Sequence, residues 1–178
     1  MSFTNIMIFD NARFQIYKIA GKDGDTFVNT FPQEDFAIYV LSKGAYKAHL
    51  GGEYHSTWYA GSEGVKDMGS FGSHGSYEEL RAEHPKYTIE AVGDCITHCI
   101  SSNKKNNRNK ITGDVKNISE GEIINIETQY CFIGNGSVQD LENNKVYKSD
   151  TLLNRRNKLK ALEDSTVAFF DVDYYKKD

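Results

Sequence analysis

Runs of β-branched and aromatic residues recur along the whole chain, and clusters of Gly, Asn, Asp and Ser separate them. Such runs suit the pleated, half-buried surface of a strand, and the polar clusters between them are typical of turns. The pattern therefore predicts an all-β protein. The predicted strands are Phe3 to Phe9, Phe14 to Ile19, Phe36 to Leu41, Tyr46 to Leu50, Tyr54 to Tyr59, Thr88 to Ile100, Ile123 to Ile133 and Thr166 to Val172.

One segment has a clear helical signature. Ser76-Tyr77-Glu78-Glu79 forms a capping box, in which the Ser and Glu side chains satisfy backbone N–H groups at the start of a helix, and Pro85 ends the run. We therefore expect one short helix near residues 76–84. A helical turn around Leu152 to Asn157 is also considered, although its Asn residues disfavour a helix interior.

A polar stretch divides the chain into two unequal regions. Residues 101–110 include no apolar side chain, so the stretch cannot join a core and is predicted to be an exposed loop. We expect an N-terminal β region over 1–101 with a long Gly/Ser loop at 61–75, a basic and Asn-rich loop over 102–110, and a second β region over 111–178. At 178 residues, these regions fit one compact domain.

The two regions share an internal similarity. Ile89 to Asp94 and Leu159 to Asp164 lie 70 residues apart, and both lead into an apolar strand. A duplicated strand unit and a single barrel with an extra N-terminal sheet are both compatible with this similarity. The same offset pairs Gly51 with Gly121, Gly64 with Gly134 and Tyr77 with Tyr147.

The order of turns and apolar strands after residue 117 carries a family resemblance. An opening strand at Ile118 to Glu122 precedes a glycine hairpin at Gly134 to Val138, and a strand and turn follow at Val146 to Leu153. Closing strands span Leu159 to Asp171. In this order the segments resemble the cupin family, which implies a cupin-like or jelly-roll barrel or sandwich.

The chain departs from metal-binding cupins, which carry a His-x-His pair and a Glu between the two glycine landmarks. The interval from Ile123 to Ile133 contains no His. Glu127 alone cannot make a site, because a transition metal needs three or four converging N, O or S ligands. The resemblance therefore implies the cupin-like fold without its metal-binding histidines, and we expect no cofactor.

Composition narrows the partners and the compartment. A net charge of −4 and a pI near 5.7 argue against general binding to nucleic acid or to a membrane surface, which needs a large basic patch. Three Cys residues fit reduced thiols better than a disulfide framework. With neither a signal peptide nor a long apolar run, we expect a cytoplasmic or virion-associated protein.

A cluster of potential metal ligands lies near a Gly-Gly turn. His49 and the pair Glu53 and His55 could face each other across a hairpin, because alternate residues of a strand share a face. Three such ligands, with His74 or His98 as a fourth, suffice for a catalytic metal. Surface histidines at the turn of an aromatic hairpin are the favoured interpretation, and the metal site is the alternative.

The segment from Cys95 to Cys99 places both thiols on one strand face and His98 on the other. This alternation argues against joint ligation of a metal. Buried free Cys packs as a small hydrophobe, so core packing against Cys131 is expected.

Several aromatic and loop residues form a predicted binding surface. Tyr and Trp combine apolar area with a polar tip, which suits a sugar or a protein partner. Core packing of alternate residues is the competing interpretation. The predicted surface residues are Tyr54, Trp58, Tyr59, Phe71 and His74.

These patterns favour a non-enzymatic assembly or recognition module with protein partners, expected to be a homo-oligomer. The composition, rich in Asn, Lys and Ile and poor in Pro, resembles small structural proteins of phage virions, such as tail, neck or capsid-decoration components. A metal-dependent cupin-type isomerase, lyase or dioxygenase acting on a small molecule is the first alternative. A carbohydrate-binding module is the second.

Overall fold

The computed structural model describes residues 2–30, 37–60, 86–102, 109–154 and 158–174. All regular structure in these ranges is β-strand, which confirms the predicted all-β class. None of the described ranges holds a helix that could span a membrane. The predicted helix near 76–84 and the Gly/Ser loop at 61–75, with Phe71 and His74, lie outside the described residues.

The strands fall into two units, which we name the N-terminal unit (β1 to β6) and the C-terminal unit (β7 to β14). The N-terminal unit contains β1 (Thr4–Asp10), β2 (Phe14–Gly21), β3 (Thr26–Thr30), β4 (Ala37–Leu50), β5 (Glu53–Tyr59) and β6 (Lys86–Ser102). The C-terminal unit contains β7 (Asn109–Ile118), β8 (Ile123–Asn125), β9 (Tyr130–Asn135), β10 (Ser137–Asp140), β11 (Val146–Lys148), β12 (Thr151–Leu153), β13 (Lys158–Ala161) and β14 (Ser165–Tyr174).

Each unit is an open-edged β-sandwich. In the N-terminal unit, the strands pair in the order β1-β2-β6-β4-β5, and β3 pairs with the first part of β6. The long strands β4 and β6 therefore contribute to both layers. In the C-terminal unit, the layers are two separate sheets, β11-β10-β13-β8 and β12-β9-β14-β7.

Strand boundaries differ from the sequence prediction where the chain bends. The sequence predicts two strands at Phe36 to Leu41 and Tyr46 to Leu50, whereas the structure joins them in β4 through register shifts around Gly44. Conversely, the single strand predicted from Ile123 to Ile133 is wrong, because an irregular segment with a bend at residues 126–129 separates β8 from β9. Leu152 lies in strand β12 and not in a helical turn.

The same kind of turn precedes β3 in the N-terminal unit and β8 in the C-terminal unit. In the turn from Lys22 to Asp25, the N–H of Asp25 donates to the carbonyl of Lys22 at 2.9 Å. The carboxylate of Asp25 in turn accepts a hydrogen bond from the N–H of Lys22 at 2.9 Å. In Ser119 to Glu122, the corresponding distances are 2.9 and 3.1 Å. The third residue is a glycine with positive φ in both turns, 81° and 83°.

The two turns dock on equivalent alanines. Gly24 N donates to the Ala91 carbonyl at 2.9 Å, and Gly121 N donates to the Ala161 carbonyl at 2.8 Å. Ala91 and Ala161 are partners in the similarity of Ile89–Asp94 to Leu159–Asp164, so the two similar segments have equivalent places in the two units. The partner predicted for Gly121 is wrong, because its counterpart is Gly24 and not Gly51. Gly64 and Tyr77 lie outside the described residues.

Each unit has its own core, and a third core lies between the units. The N-terminal core contains Phe3, Ile19, Leu41, Tyr46, Ala48, Ile89, Ala91 and Cys95. The C-terminal core contains Ile118, Ile124, Ile126, Cys131, Ile133, Val138, Leu153, Leu159, Ala161 and Val167. The shared core contains Phe14, Ile16, Ile38, Val40, Ile100, Ile111, Val115, Phe132, Ala168, Phe170 and Val172.

The units contribute equivalent faces to the shared core. Ile100 is flanked by Ile16 and Ile38 across β2, β6 and β4. Phe170 has the same position between Gly113 and Tyr130 across β7, β14 and β9. The equivalent sheets of the two units therefore pack back to back.

Candidate functional site

His98 is a fully buried histidine with a polar partner on each ring nitrogen. Ser42 Oγ lies 2.6 Å from Nδ1, and Asp150 Oδ1 lies 2.8 Å from Nε2. The other carboxylate oxygen of Asp150 accepts a 2.6 Å hydrogen bond from Lys18 Nζ. The ring of Phe132 packs edge-on against the imidazole, with centroids 4.9 Å apart. We call these four polar residues the His98 chain.

The His98 chain joins the two units. Lys18, His98 and Val40 form one row across β2, β6 and β4 of the N-terminal unit. Asp150 comes from the turn between β11 and β12 of the C-terminal unit, where its φ is 67° and its N–H donates to the Ile133 carbonyl at 2.8 Å. Asp tolerates this left-handed conformation because its side chain is short and polar.

Burial determines the charge state of the His98 chain. It lowers the pKa of His98, although the hydrogen bond and charge of Asp150 oppose this effect and the charge of Lys18 adds to it. Partial burial alone would raise the pKa of Asp150, but hydrogen bonds and charge from Lys18 and His98 together hold it below its usual range. A neutral imidazole must therefore donate from Nε2 to the carboxylate and accept the Ser42 hydroxyl proton at Nδ1.

Ser, His and Asp are also the residue types of a nucleophilic triad, but the surroundings of Ser42 do not suit a nucleophile. Ser42 is 1% exposed, and a side chain added at Gly134 would overlap its Oγ. A substrate carbonyl cannot approach that oxygen without moving the backbone of β9. The arrangement therefore links the two units, and the packing at Gly134 blocks the approach to Ser42 Oγ.

The predicted metal ligands point to different partners. His49 Nε2 lies 3.1 Å from Glu90 Oε2, and its ring packs on Tyr54. A register shift opposite Ala48 and His49 leaves His55 without a cross-strand partner, so Glu53 and His55 do not follow the two-residue alternation on which the prediction depended. Within the described residues, no group of three or more His, Cys, Asp or Glu side chains is arranged to hold a metal ion.

The predicted aromatic surface divides between the two faces of β5. Trp58 is half-buried against the N-terminal core, and its Nε1 donates to Ser56 Oγ at 2.8 Å. Tyr54 and Tyr59 are 60% and 57% exposed, and Tyr54 Oη lies 2.9 Å from Thr57 Oγ1 on the outer face. The structure thus groups the two tyrosines and separates Trp58 from them.

The cysteines follow the predicted strand alternation but not the predicted packing. Cys95 and Cys99 both contact the N-terminal core, whereas His98 faces the C-terminal unit. Cys131 belongs to the C-terminal core, so the expected packing of Cys95 and Cys99 against Cys131 is wrong. Burial raises the pKa of the Cys95 thiol to about 11 and that of Cys131 to about 12.

The interiors of the two units differ in polarity. Thr97, between Ile19 and Leu41, is 5% exposed, and its Oγ1 has no hydrogen-bond partner of good geometry; the Cys95 thiol is a weakly interacting neighbour. The equivalent position of the C-terminal unit is the buried, apolar Val167.

A second unpartnered atom is Asp25 Oδ1, also in the N-terminal unit. Its counterpart Glu122 reaches Lys116 Nζ at 3.3 Å. In the C-terminal unit, Lys116 lies opposite Val167 on the neighbouring strand. At the equivalent position of the N-terminal unit, Ile19 lies opposite Thr97. Asp25 therefore has an apolar isoleucine at the position where Glu122 has a lysine. Among the described residues, both buried side-chain atoms without partners therefore belong to the N-terminal unit.

A transition metal does not fit the described interiors. The C-terminal core surrounds Cys131 with aliphatic side chains, and the N-terminal interior has the thiols of Cys95 and Cys99 and the hydroxyl of Thr97 among aromatic and aliphatic side chains. The only described histidine of β6 faces away from the interior. These donors do not provide the three or four converging ligands that such a metal requires.

Comparison with known proteins establishes the architecture. No protein-family model and no curated protein matches the sequence. A cupin 2 conserved barrel domain protein from Leptotrichia buccalis is similar, with a TM-score of 0.51 at 9% identity over 97% of this chain and 89% of that chain. A bacterial pirin from Escherichia coli in complex with nickel(II) has a TM-score of 0.49 at 10% identity, with coverage of 98% and 92%. A putative glyoxylate induced protein from Pseudomonas aeruginosa has a TM-score of 0.49 at 9% identity, with coverage of 99% and 82%. At this identity, the first similarity establishes the fold alone: the chain has a cupin-like, all-β architecture.

Proposed function

We propose that the chain is a small-molecule recognition module of the cupin fold, in which the N-terminal unit receives the ligand and the C-terminal unit is the scaffold. The observation that carries this proposal is the pair of buried oxygens, Asp25 Oδ1 and Thr97 Oγ1, that lack hydrogen-bond partners. A buried polar group without a partner costs about 1–3 kcal/mol, and a ligand that binds it recovers that cost.

The difference between the two units supports a division of labour. In the C-terminal unit, Glu122 forms an ion pair with Lys116, and the position equivalent to Thr97 is the apolar Val167. Neither of these two positions therefore offers an unpartnered buried oxygen to a ligand. Such packing, in which polar groups have partners and the rest is apolar, favours the stability of a scaffold. A receptor gains from polar groups that remain unsatisfied until the ligand arrives.

The chemistry of the site indicates the ligand class. A carboxylate oxygen needs a donor, and a threonine hydroxyl can donate or accept. Trp58 adds an aromatic surface to the same interior. We therefore expect a small hydroxylated or amino compound with an apolar portion. Because the interior donors do not fit a transition metal, the proposal is recognition and not metal-dependent catalysis.

Trp58 gives a direct test, because it is the single tryptophan of the chain. We expect one of a panel of sugars, polyols and amino compounds to change its emission on titration, with calorimetry confirming the affinity. Thr97→Val should weaken that affinity about fivefold, the effect of one hydrogen bond. Thr166→Val is the matched control, since Thr166 Oγ1 donates to Asn117 Oδ1 at 2.8 Å in the C-terminal unit.

Two results would contradict the proposal. The first is equal affinity in the Thr97→Val variant and the parent protein. The second is stoichiometric Fe, Mn, Ni or Zn in the purified protein that is lost in His49→Ala, which would replace recognition by a metal-dependent reaction. Assembly into a homo-oligomer or a virion stays a prediction, for which light scattering of the purified chain is the first measurement.

A further inference from the structure

We propose that neutral His98 is an acid-sensitive lock between the two units, and that protonation of its ring separates the units at this end of the shared core. The lock is independent of ligand binding in the N-terminal unit. It depends on the position of one imidazole between side chains of both units.

Within the described residues, the two units share one such histidine contact. His98 contacts Asp150 and Phe132 of the C-terminal unit, and Lys18 reaches the same carboxylate. In the C-terminal unit, the position equivalent to His98 is Ala168. Ala168 lies opposite Val115 on the neighbouring strand, whereas His98 lies opposite Lys18. The equivalent face of the C-terminal unit is therefore apolar.

The charged groups that face the imidazole are few. Lys18 approaches from β2 and Asp150 from the β11–β12 turn, while β4 contributes the uncharged Ser42 and β9 contributes Phe132. The β7 residues of the shared core are Ile111 and Val115. Among the described residues, a positive charge on the ring thus has one carboxylate available, and that carboxylate is already bonded to Lys18.

A second proton on the ring also rearranges Ser42. The proton must occupy Nδ1, so Ser42 Oγ must change from donor to acceptor at 2.6 Å. In the described part of the chain, the acceptor that remains for its own hydrogen is the Val40 carbonyl at 3.4 Å, the far limit of a hydrogen bond. The fully buried imidazolium therefore lacks adequate solvation in the closed interface, and access of water requires that the units separate.

The sign of the pH dependence follows from the lowered pKa of His98. In the open state, the exposed ring titrates near its ordinary value of about 6.5. The closed interface is therefore fully stabilised above that pH and loses stability as the pH falls below it. The pKa of Asp150 is also lowered, so protonation of its carboxylate destabilises the closed interface only below about pH 4. That pH lies below the range in which His98 acts.

Two fluorescence measurements distinguish opening from global unfolding. Between pH 7.5 and 5, we expect binding of the apolar dye ANS to rise as the shared core becomes exposed. Emission of Trp58 should stay unchanged, because Trp58 packs against the N-terminal core and not the shared core. His98→Gln should abolish the rise in dye binding, and His55→Gln, which changes an exposed histidine, should retain it.

Two further variants should shift the transition in opposite directions. Asp150→Asn removes the group that raises the pKa of His98, so the units should open at a higher pH than in the parent protein. Lys18→Met removes the charge that lowers this pKa, so opening should move to lower pH. Asn tolerates the left-handed backbone of position 150 and Met fills the volume of Lys, so both variants should fold.

The proposal is overturned if Trp58 emission and dye binding change together, since that describes unfolding of the whole chain. It is equally overturned if both variants shift the transition in the same direction, or if the parent shows no transition above pH 5. Should His98→Gln fail to fold, the opposite shifts of the other two variants decide the question.

Discussion

Replacing Gly44 by Ala tests how β4 passes from one layer of the N-terminal unit to the other. Gly44 has a φ of 79°, a left-handed conformation that costs about 1–2 kcal/mol with a Cβ atom. The added Cβ would also overlap the carbonyl oxygen of Asp94 and come within 3.2 Å of the Cys95 Cα. These neighbours are backbone atoms of β6 and cannot rotate away, so overpacking adds about 1–3 kcal/mol. We expect the free energy of unfolding to fall by about 2–5 kcal/mol.

Gly52→Ala is the matched control, because Gly52 has a φ of 83° and nothing within 4 Å of an added Cβ. It should lose only the conformational cost of about 1–2 kcal/mol. Urea unfolding followed by far-ultraviolet circular dichroism measures both losses, with equal m-values showing that the unfolded states are comparable. If the two variants lose the same free energy within about 0.5 kcal/mol, the close approach of β4 to β6 is refuted.

The remaining predictions concern buried side chains. Thr97→Val should leave the free energy of unfolding unchanged or raise it, since the lost hydroxyl interacts only weakly with the Cys95 thiol. Thr166→Val should lower it by about 1–2 kcal/mol, because its hydroxyl donates to Asn117. Equal losses in urea titrations would contradict this contrast. Because burial raises their thiol pKa values to about 11 and 12, Cys95 and Cys131 should not react with a thiol reagent at pH 8 until urea unfolds the chain, and rapid reaction of either in native protein would contradict the packing described.

The sequence predicts those strands whose apolar residues are dense, such as β2 and β14, because one or both faces are buried. It does not predict β10, whose burial in the C-terminal core depends on Val138 alone among apolar residues. The alternation from Cys95 to Cys99 correctly separates His98 from the thiols. The His98 chain itself could not be predicted, because Ser42 and Asp150 are distant in sequence and meet His98 only when the units pack.

The back-to-back packing of equivalent sheets also determines how many protons control the interface. In a dimer of two identical chains, an off-axis ionisable contact occurs twice, and acid would act on two coupled groups. In this chain, Ala168 occupies the place that a second imidazole would have. A single proton then sets the state of the interface, so the response should be non-cooperative and extend over about two pH units from one tenth to nine tenths completion. A gradual response of this kind suits a graded adjustment to acidity and not an all-or-none trigger.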